Sequence, residues 1–293
     1  MKLLVDANNI LYGIFFVEMK LSAYGEGQEN NFDLVTHIFL QKILRLKSEF
    51  KVKSMDVFLC FDHKNNWRKE IFPNYKASRA RARRESDINY ENFFKFLDVF
   101  QEELKENFPF FTFKKLRLEA DDWIACFAEY FNKIGEDTIV ISTDKDFHQL
   151  QKFPHVRQYN HVKHEMFKDP DPKFSLQLKV LCGDSGDGIP NILSPDDVFI
   201  TEGTRQKKFG EKKATAAILE NKPIEVWAFE NGHTVNYKRN NELINFEYIP
   251  EDIKEDIILE YVNYKKIGSD IFKLNGYFKS RGLKALANRL SEF

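Results

Sequence analysis

Three short apolar runs, each closing on an aspartate, limit most strongly what this chain can fold into. Lys2 to Val5 ends in Asp6, Asp56 to Phe61 ends in Asp62, and Asp137 to Ser142 leads into Asp144 and Asp146. Each is rich in β-branched, aromatic or other apolar residues and too short for a helix, which predicts strands buried on both faces. Helical periods separate them. Leu34, Ile38, Ile43, Leu46 and Phe50 follow the first strand, after a loop from Tyr24 to Asn31; Phe93, Phe96, Leu97, Phe100 and Leu104 follow the second. Pro109 stops that helix, Phe110 to Leu116 alternates as another strand, and a helix opens near Glu119 before the third aspartate-tipped run. Such alternation predicts an α/β fold, a mostly parallel central sheet flanked by helices. Ligands of these sheets bind beyond the carboxyl ends of the strands, so the strand-end aspartates are expected in one cleft.

The helix after Leu118 adds three more carboxylates. Glu119 and Asp122 are three apart and share a helix face, whereas Asp121 points about 100° away, a weaker position. Asp144 and Asp146 share a side if the chain stays extended. Two unit charges about 4 Å apart repel by roughly 4 kcal/mol at an effective dielectric of 20, so such a cluster requires cations. Carboxylates without supporting His or Cys favour magnesium or manganese over zinc.

The formal net charge of −1 argues against a nucleic-acid partner only if the charge is evenly spread, and it is not. From Arg68 to Arg84, Arg68, Lys69, Lys76, Arg79, Arg81, Arg83 and Arg84 face a single acidic residue, Glu70. Trp67, Phe72 and Tyr75 are interleaved, which suits a strand-gripping element where cations meet phosphates and rings stack; the bland reading is a solvated basic helix. Further on, Gly183-Asp184-Ser185-Gly186-Asp187-Gly188 is a glycine-rich loop with two aspartates three apart, though a plain turn uses the same residues. Lys207, Lys208, Lys212 and Lys213 surround Gly210 ahead of a helix at Ala214, an entrance able to hold phosphate.

At 293 residues and 43% hydrophobic content the chain suits one large or two moderate domains. We place an α/β domain over 1–182, with the basic element at about 64–86, and a helical domain over 183–293. The 29 phenylalanines fall mostly in amphipathic periods and read as core. Cys60, Cys126 and Cys182 sit in apolar stretches without metal spacing, which fits buried thiols in a reducing compartment. His155, His161 and His164 lack cysteine partners and read as surface or strand histidines. No apolar run approaches the roughly 18 residues of a membrane span, so a soluble, cytoplasmic protein is expected.

Val5-Asp6, Phe61-Asp62, Trp67-Arg68, Tyr75-Lys76-Ala77-Ser78-Arg79, Glu119-Ala120-Asp121-Asp122, Ser142-Thr143-Asp144-Lys145-Asp146-Phe147 and Gly183-Asp184-Ser185-Gly186-Asp187-Gly188-Ile189-Pro190 occur here in fixed order. In that order they resemble the 5′-nuclease (flap endonuclease) family, and within it the RNase H branch of the T-even bacteriophages. The resemblance implies a two-metal site, a helical arch above it, and a helix–three-turn–helix gripping duplex backbone. It implies hydrolysis of phosphodiesters from 5′ ends and flaps, and removal of RNA primers during lagging-strand synthesis, by a monomer acting on DNA and RNA–DNA duplexes beside a single-strand-binding protein and a sliding clamp. Carried over by position, Asp6, Asp62, Glu119, Asp122 and Asp144 serve one ion and Asp146, Asp184 and Asp187 the second, with Asp121 beside them. Arg68, Lys76 and Arg79 match the basic positions of the arch and Tyr75 the stacking one. The chain departs from the family in His63, where the phage relatives carry Asn, and in a longer insert, Asn191 to Phe209. A PIN-type ribonuclease would share the acidic sheet edge but lack both basic elements. A receiver-type phosphoacceptor is smaller, and a non-catalytic nucleic-acid-binding protein would have no use for strand-end carboxylates.

Overall fold

The computed structural model describes residues 1–22, 31–86, 88–220, 222–265 and 270–293; the side chains of 20–22, 80–82 and 84 lie outside the description, as does the predicted loop from Tyr24 up to its last residue, Asn31. Six strands, β1 (Lys2–Asp6), β2 (Val57–Cys60), β3 (Phe111–Phe113), β4 (Thr138–Ile141), β5 (Val156–Asn160) and β6 (Glu165–Phe167), form one sheet in the order β3-β2-β1-β4-β5-β6. The first five run parallel and β6 closes the edge antiparallel to β5. The third predicted strand shrinks from 110–116 to three residues, because after Phe113 the chain turns toward Arg117, which bridges to Asn66 instead of extending the ladder.

Alternation along the strands divides the interior in two. Leu3, Val5, Val57, Leu59, Ile139 and Ile141 face a core shared with α1 (Ala7–Ser22), α2 (Phe32–Phe50) and, past the short α3 (Arg68–Ile71) and α4 (Ala77–Arg84), with α5 (Tyr90–Asn107). Leu4, Phe58, Cys60 and Val140 face the opposite core, under α6 (Ala120–Lys133). Phenylalanine fills both, as expected: the Phe58 ring stacks on Phe111 at 4.6 Å and meets Phe127 edge-on at 5.3 Å. Truncating such a ring costs about 3–5 kcal/mol.

A third core joins α7 (Pro172–Cys182), α8 (Glu211–Ile218), α9 (Ile224–Glu230) and α10 (Thr234–Ile244), and it takes in Phe72 and Tyr75 from the basic stretch. Beyond Ile244 the chain returns to the sheet. Phe246, with Ile253 and Ile257 of α11 (Glu251–Val262), enters the core under α6. After α12 (Ile271–Ser280) and α13 (Lys284–Ala287), Phe293 lies 5.5 Å from Phe108 in the other core. The helical C-terminal part therefore keeps a core of its own only to Ile244. Among the described residues no helix is long and apolar enough to cross a membrane.

Candidate active site

The register of β1 fixes the site. Asp6 pairs with Cys60 and Val5 with Ile141, so Asp6, Asp62 and the segment Ser142–Asp144 emerge together at the carboxyl edge. Successive strands run outward from β1 on one side and from β4 on the other, so the crevice opens at the switch point, as in doubly wound sheets. The cleft there, about 380 Å³, is lined by Asp6, Asp62, Asp121, Asp144, Asp146, Asp184 and Asp187 together with Asn8, Asn9, Tyr12, Lys76 and Arg79.

Local hydrogen bonds aim these carboxylates. Asp6 accepts from the Asn9 backbone N–H at 2.9 Å and the Ser142 hydroxyl at 3.0 Å, and Asp62 accepts from the Ala120 N–H at 2.8 Å. Asp144 does not continue an extended chain with Asp146. It caps a 3₁₀ helix, Lys145–Lys152, accepting the Asp146 N–H at 2.9 Å, and the turn delivers both carboxylates to the cleft. Asp184 accepts from the Gly186 and Asp187 N–H groups at 2.8 and 3.2 Å. This loop requires glycine at two points: Gly183 has φ +71° and a Cβ there would meet Ile189 O at 2.4 Å, and Gly188 has φ +73° with Asn74 O at 3.1 Å. The second contact seats the loop on the basic stretch, where the Lys76 N–H donates to Asp187 O at 2.7 Å.

Crowding shows in the protonation equilibria. Burial, then Asp62 and Asp144, push Asp6 up to about 7. Burial, followed by Asp144, Asp6 and Asp62, pushes Asp121 well above the carboxylate range, and burial raises Asp62 against the pull of Lys76. Among the described residues no three such side chains converge tightly enough to ligate one ion as placed. Instead Lys179 pairs with Asp146 and, at 2.8 Å, with Asp184, whose carboxyl it holds low despite burial; Arg79 pairs with Asp187.

Four expected site residues are turned away from the cleft. Glu119 is the N-cap position of α6 and Asp122 lies in its first turn, sharing a face as expected, but that face points inward. Arg68, 3% exposed, donates to Glu119 at 3.1 Å, lies 2.9 Å from Asp122, and donates through Nε to Leu243 O at 3.0 Å. Asp122 also accepts from Trp67 Nε1 at 3.1 Å and the Glu119 N–H at 2.9 Å. The rotation that buries Glu119 and Asp122 sends Asp121 into the cleft. Tyr75 is buried as well, its hydroxyl shared by Glu119 at 3.1 Å and Asp187 at 3.0 Å, so it offers no face for base stacking; Trp67 and Phe72 are equally enclosed. Burial opposes ionisation of Glu119, but Lys76, at 2.7 Å, and Arg68 hold its carboxyl at about 2.

The remaining cations divide by exposure. Lys76 and Arg79 stand on the cleft wall, and Arg83 lies 5.0 Å above the Phe94 ring; the side chains of Arg81 and Arg84 are outside the description. Lys207, Lys208, Lys212 and Lys213 are exposed at the entrance to α8. Lys179 was missed in the sequence, where a single lysine on a helix carries no signal. So was His161, enclosed and 2.8 Å from Asn9 of the cleft.

Residues 1–174 match the family model described as 5′-3′ exonuclease, N-terminal resolvase-like domain, and residues 171–293 match T4 RNase H, C terminal. Among characterised proteins, the chain is 30% identical to the ribonuclease H of Enterobacteria phage T4 over 92% of its own length and 90% of that protein. It is 26% identical to a 5′-3′ exonuclease of Buchnera aphidicola over 90% of this chain and 91% of that one. In fold it is similar to the T5 D15 protein co-crystallised with metal ions, with a TM-score of 0.64 at 18% identity over 90% of this chain and 99% of that one. The T5 D15 flap endonuclease complexed with DNA and metal ions gives the same TM-score over 89% and 98%. With its N-terminal half and its C-terminal part both matched in order, and with the strand-end aspartates gathered at one switch point, the chain belongs to the 5′-3′ exonuclease family of flap-endonuclease-like hydrolases.

Proposed function

We propose that the chain is a two-metal, magnesium-dependent nuclease that shortens 5′ ends and cuts 5′ flaps, removing RNA from RNA–DNA duplexes as well as DNA, with manganese able to replace magnesium. One observation carries this reading: seven aspartates face a cleft whose wall also bears Lys76 and Arg79. An all-oxygen, multiply anionic donor set fits hard divalent ions. Asp6, Asp62, Asp121 and Asp144 would hold one, and Asp146, Asp184 and Asp187 the other. Bound there, such ions supply an activated water and stabilise the leaving oxygen.

The chain's own groups do the rest. Water attacks phosphorus in line, the P–O3′ bond breaks, and the products are a 5′-phosphate and a 3′-hydroxyl. Lys76 and Arg79 provide positive charge for the phosphate where anionic charge develops. Glu119, Asp122 and Arg68 act indirectly, by fixing the rotation of α6 that aims Asp121. The exposed lysines at α8 meet duplex backbone, where contacts carry no base information. The test is cleavage of 5′- and 3′-labelled flap, RNA–DNA and structured-RNA substrates in magnesium and in chelator. Asp62→Asn and Asp144→Asn should each lower turnover roughly a hundredfold or more while keeping DNA affinity. Near-native turnover by either would remove that residue from the chemistry, and preferential cleavage of structured RNA would favour a PIN-type ribonuclease.

A further inference from the structure

Asn9 lines the cleft one helical turn beyond Asp6, and its carboxamide is locked in one orientation. The Thr143 backbone N–H, which can only donate, lies 3.3 Å from Asn9 Oδ1, so this atom is the oxygen. His161 Nε2 lies 2.8 Å from the same oxygen and must therefore carry a proton. The His161 Nδ1 atom is buried and has no partner, which leaves the ring neutral and in the Nε2–H form. Burial, then Lys42, push this imidazole down to about 4, in keeping with that geometry. Thr143 Oγ1 lies beside both ends of the amide, 3.1 Å from Oδ1 and 2.9 Å from Nδ2. One Nδ2 hydrogen goes to this hydroxyl oxygen, and no described residue accepts the second.

We propose that Asn9 donates this second Nδ2 hydrogen to a non-bridging phosphate oxygen of the strand being cut, and that His161 is the positioning residue that holds the amide for it. Chemistry favours an amide here. Seven carboxylates around the cleft repel a phosphodiester, and an additional donor is needed that neither competes with cations for those carboxylates nor salts them out of reach. A neutral N–H on an amide whose oxygen is fixed by the Thr143 N–H and His161 meets that need without reorganising when substrate arrives. The inference rests on the nuclease reading above.

The test measures kcat and KM on a 5′-flap substrate in magnesium for Asn9→Ala, His161→Phe, His161→Gln and the Asn9→Ala/His161→Phe pair, with Asp62→Asn as the control for the nuclease reading itself. Hydrogen bonds to charged groups contribute about 1.5–3 kcal/mol, so Asn9→Ala should lower kcat/KM by roughly tenfold to a hundredfold. His161→Phe should lower it by a similar factor, the double variant no further, and His161→Gln, which returns an N–H at that reach, should recover most of the loss. Wild-type kcat/KM in Asn9→Ala, or additive losses in the double variant, would overturn the proposal. Should His161→Phe not fold, methylphosphonates scanned through the phosphates around the cut decide. At one position the ratio of wild type to Asn9→Ala should collapse toward unity, and a ratio unchanged at every position overturns the contact.

Discussion

Replacing Arg68 with methionine separates a structural from a substrate-binding arginine. Its guanidinium is 3% exposed and serves Glu119, Asp122 and the Leu243 carbonyl from one buried position. Methionine fills much of the volume but leaves two enclosed carboxylates without their cation, and breaking a buried pair in this way costs about 3–5 kcal/mol. That is a large share of the 5–15 kcal/mol that typically separates folded from unfolded protein. Part of the loss depends on pH. The Glu119 carboxyl is held at about 2 in the folded state against an ordinary value of 4.5, so its ionised form contributes stability that is complete above about 4.5 and disappears as pH falls toward 2. Lys76 still pairs with Glu119 in the variant, so the carboxyl should rise without reaching the range of an unpaired buried acid. The assay is urea unfolding at pH 7 and pH 4, beside the salt dependence of DNA affinity. Arg68→Met should be destabilised by about 3–5 kcal/mol at pH 7, by less at pH 4, with a wild-type salt slope. A variant within about 1 kcal/mol of wild type whose salt slope falls by about 0.9 would show that Arg68 meets phosphate, and the buried-triad account would be refuted.

Arg79→Ala should do the opposite, lowering the salt slope by about 0.9 with little change in stability, because Arg79 is a half-exposed partner of Asp187; an unchanged slope would return it to a surface ion pair. Asp6, raised to about 7 from 3.8, is favoured in its protonated form by folding, so the stability it contributes is complete below about 3.8 and is lost as pH rises through 7. Thermal melts in chelator should accordingly show Asp6→Asn gaining on wild type between about pH 4 and 7, and parallel curves would contradict the crowding. Lys179→Met should weaken the fold in chelator but less so in saturating magnesium, since ions at Asp146 and Asp184 can replace the ammonium; equal losses in both would exclude that exchange.

The strands and their aspartate tips were legible because both derive from local pattern: a buried parallel strand reads as an apolar run, and its end lies only a residue or two from the cleft. The rotation of α6 was not. Helical geometry places Asp121 about 100° from Asp122, but which of them faces the cleft is decided by Trp67 and Arg68, more than fifty residues earlier in the chain, and they claim Asp122. The aromatic residues of the basic stretch were ambiguous in the same way, since a ring that can stack on a base can equally seal a core. Phe72 and Tyr75 pack with Val180, Leu181 and Ile189, and that contact closes the third core. Lys179 left no trace in the sequence, and His161, read there with His155 and His164 as a surface or strand histidine, is instead buried in the turn after β5; the partners of both, Asp146 and Asp184 for one and Asn9 for the other, are brought to them only by folding.

A buried Arg–Glu–Asp group can often be replaced by apolar side chains without loss of stability, so stability alone does not explain its place beside this cleft. Its connections do. Arg68 begins the helix that follows β2, Glu119 and Asp122 open α6, Leu243 lies in the last turn of α10, and Tyr75 and Lys76 join Glu119 to Asp187 of the glycine-rich loop. Asp121 depends on the rotation of α6 and Asp187 on the seating of that loop, and the same charged group fixes both. An apolar replacement would keep these elements packed but leave the helix free to choose its rotation. The physical consequence is that a Trp67, Arg68, Glu119 and Asp122 set redesigned to matched hydrophobic residues could retain its melting temperature while losing turnover, a separation that removal of Arg68 alone cannot produce.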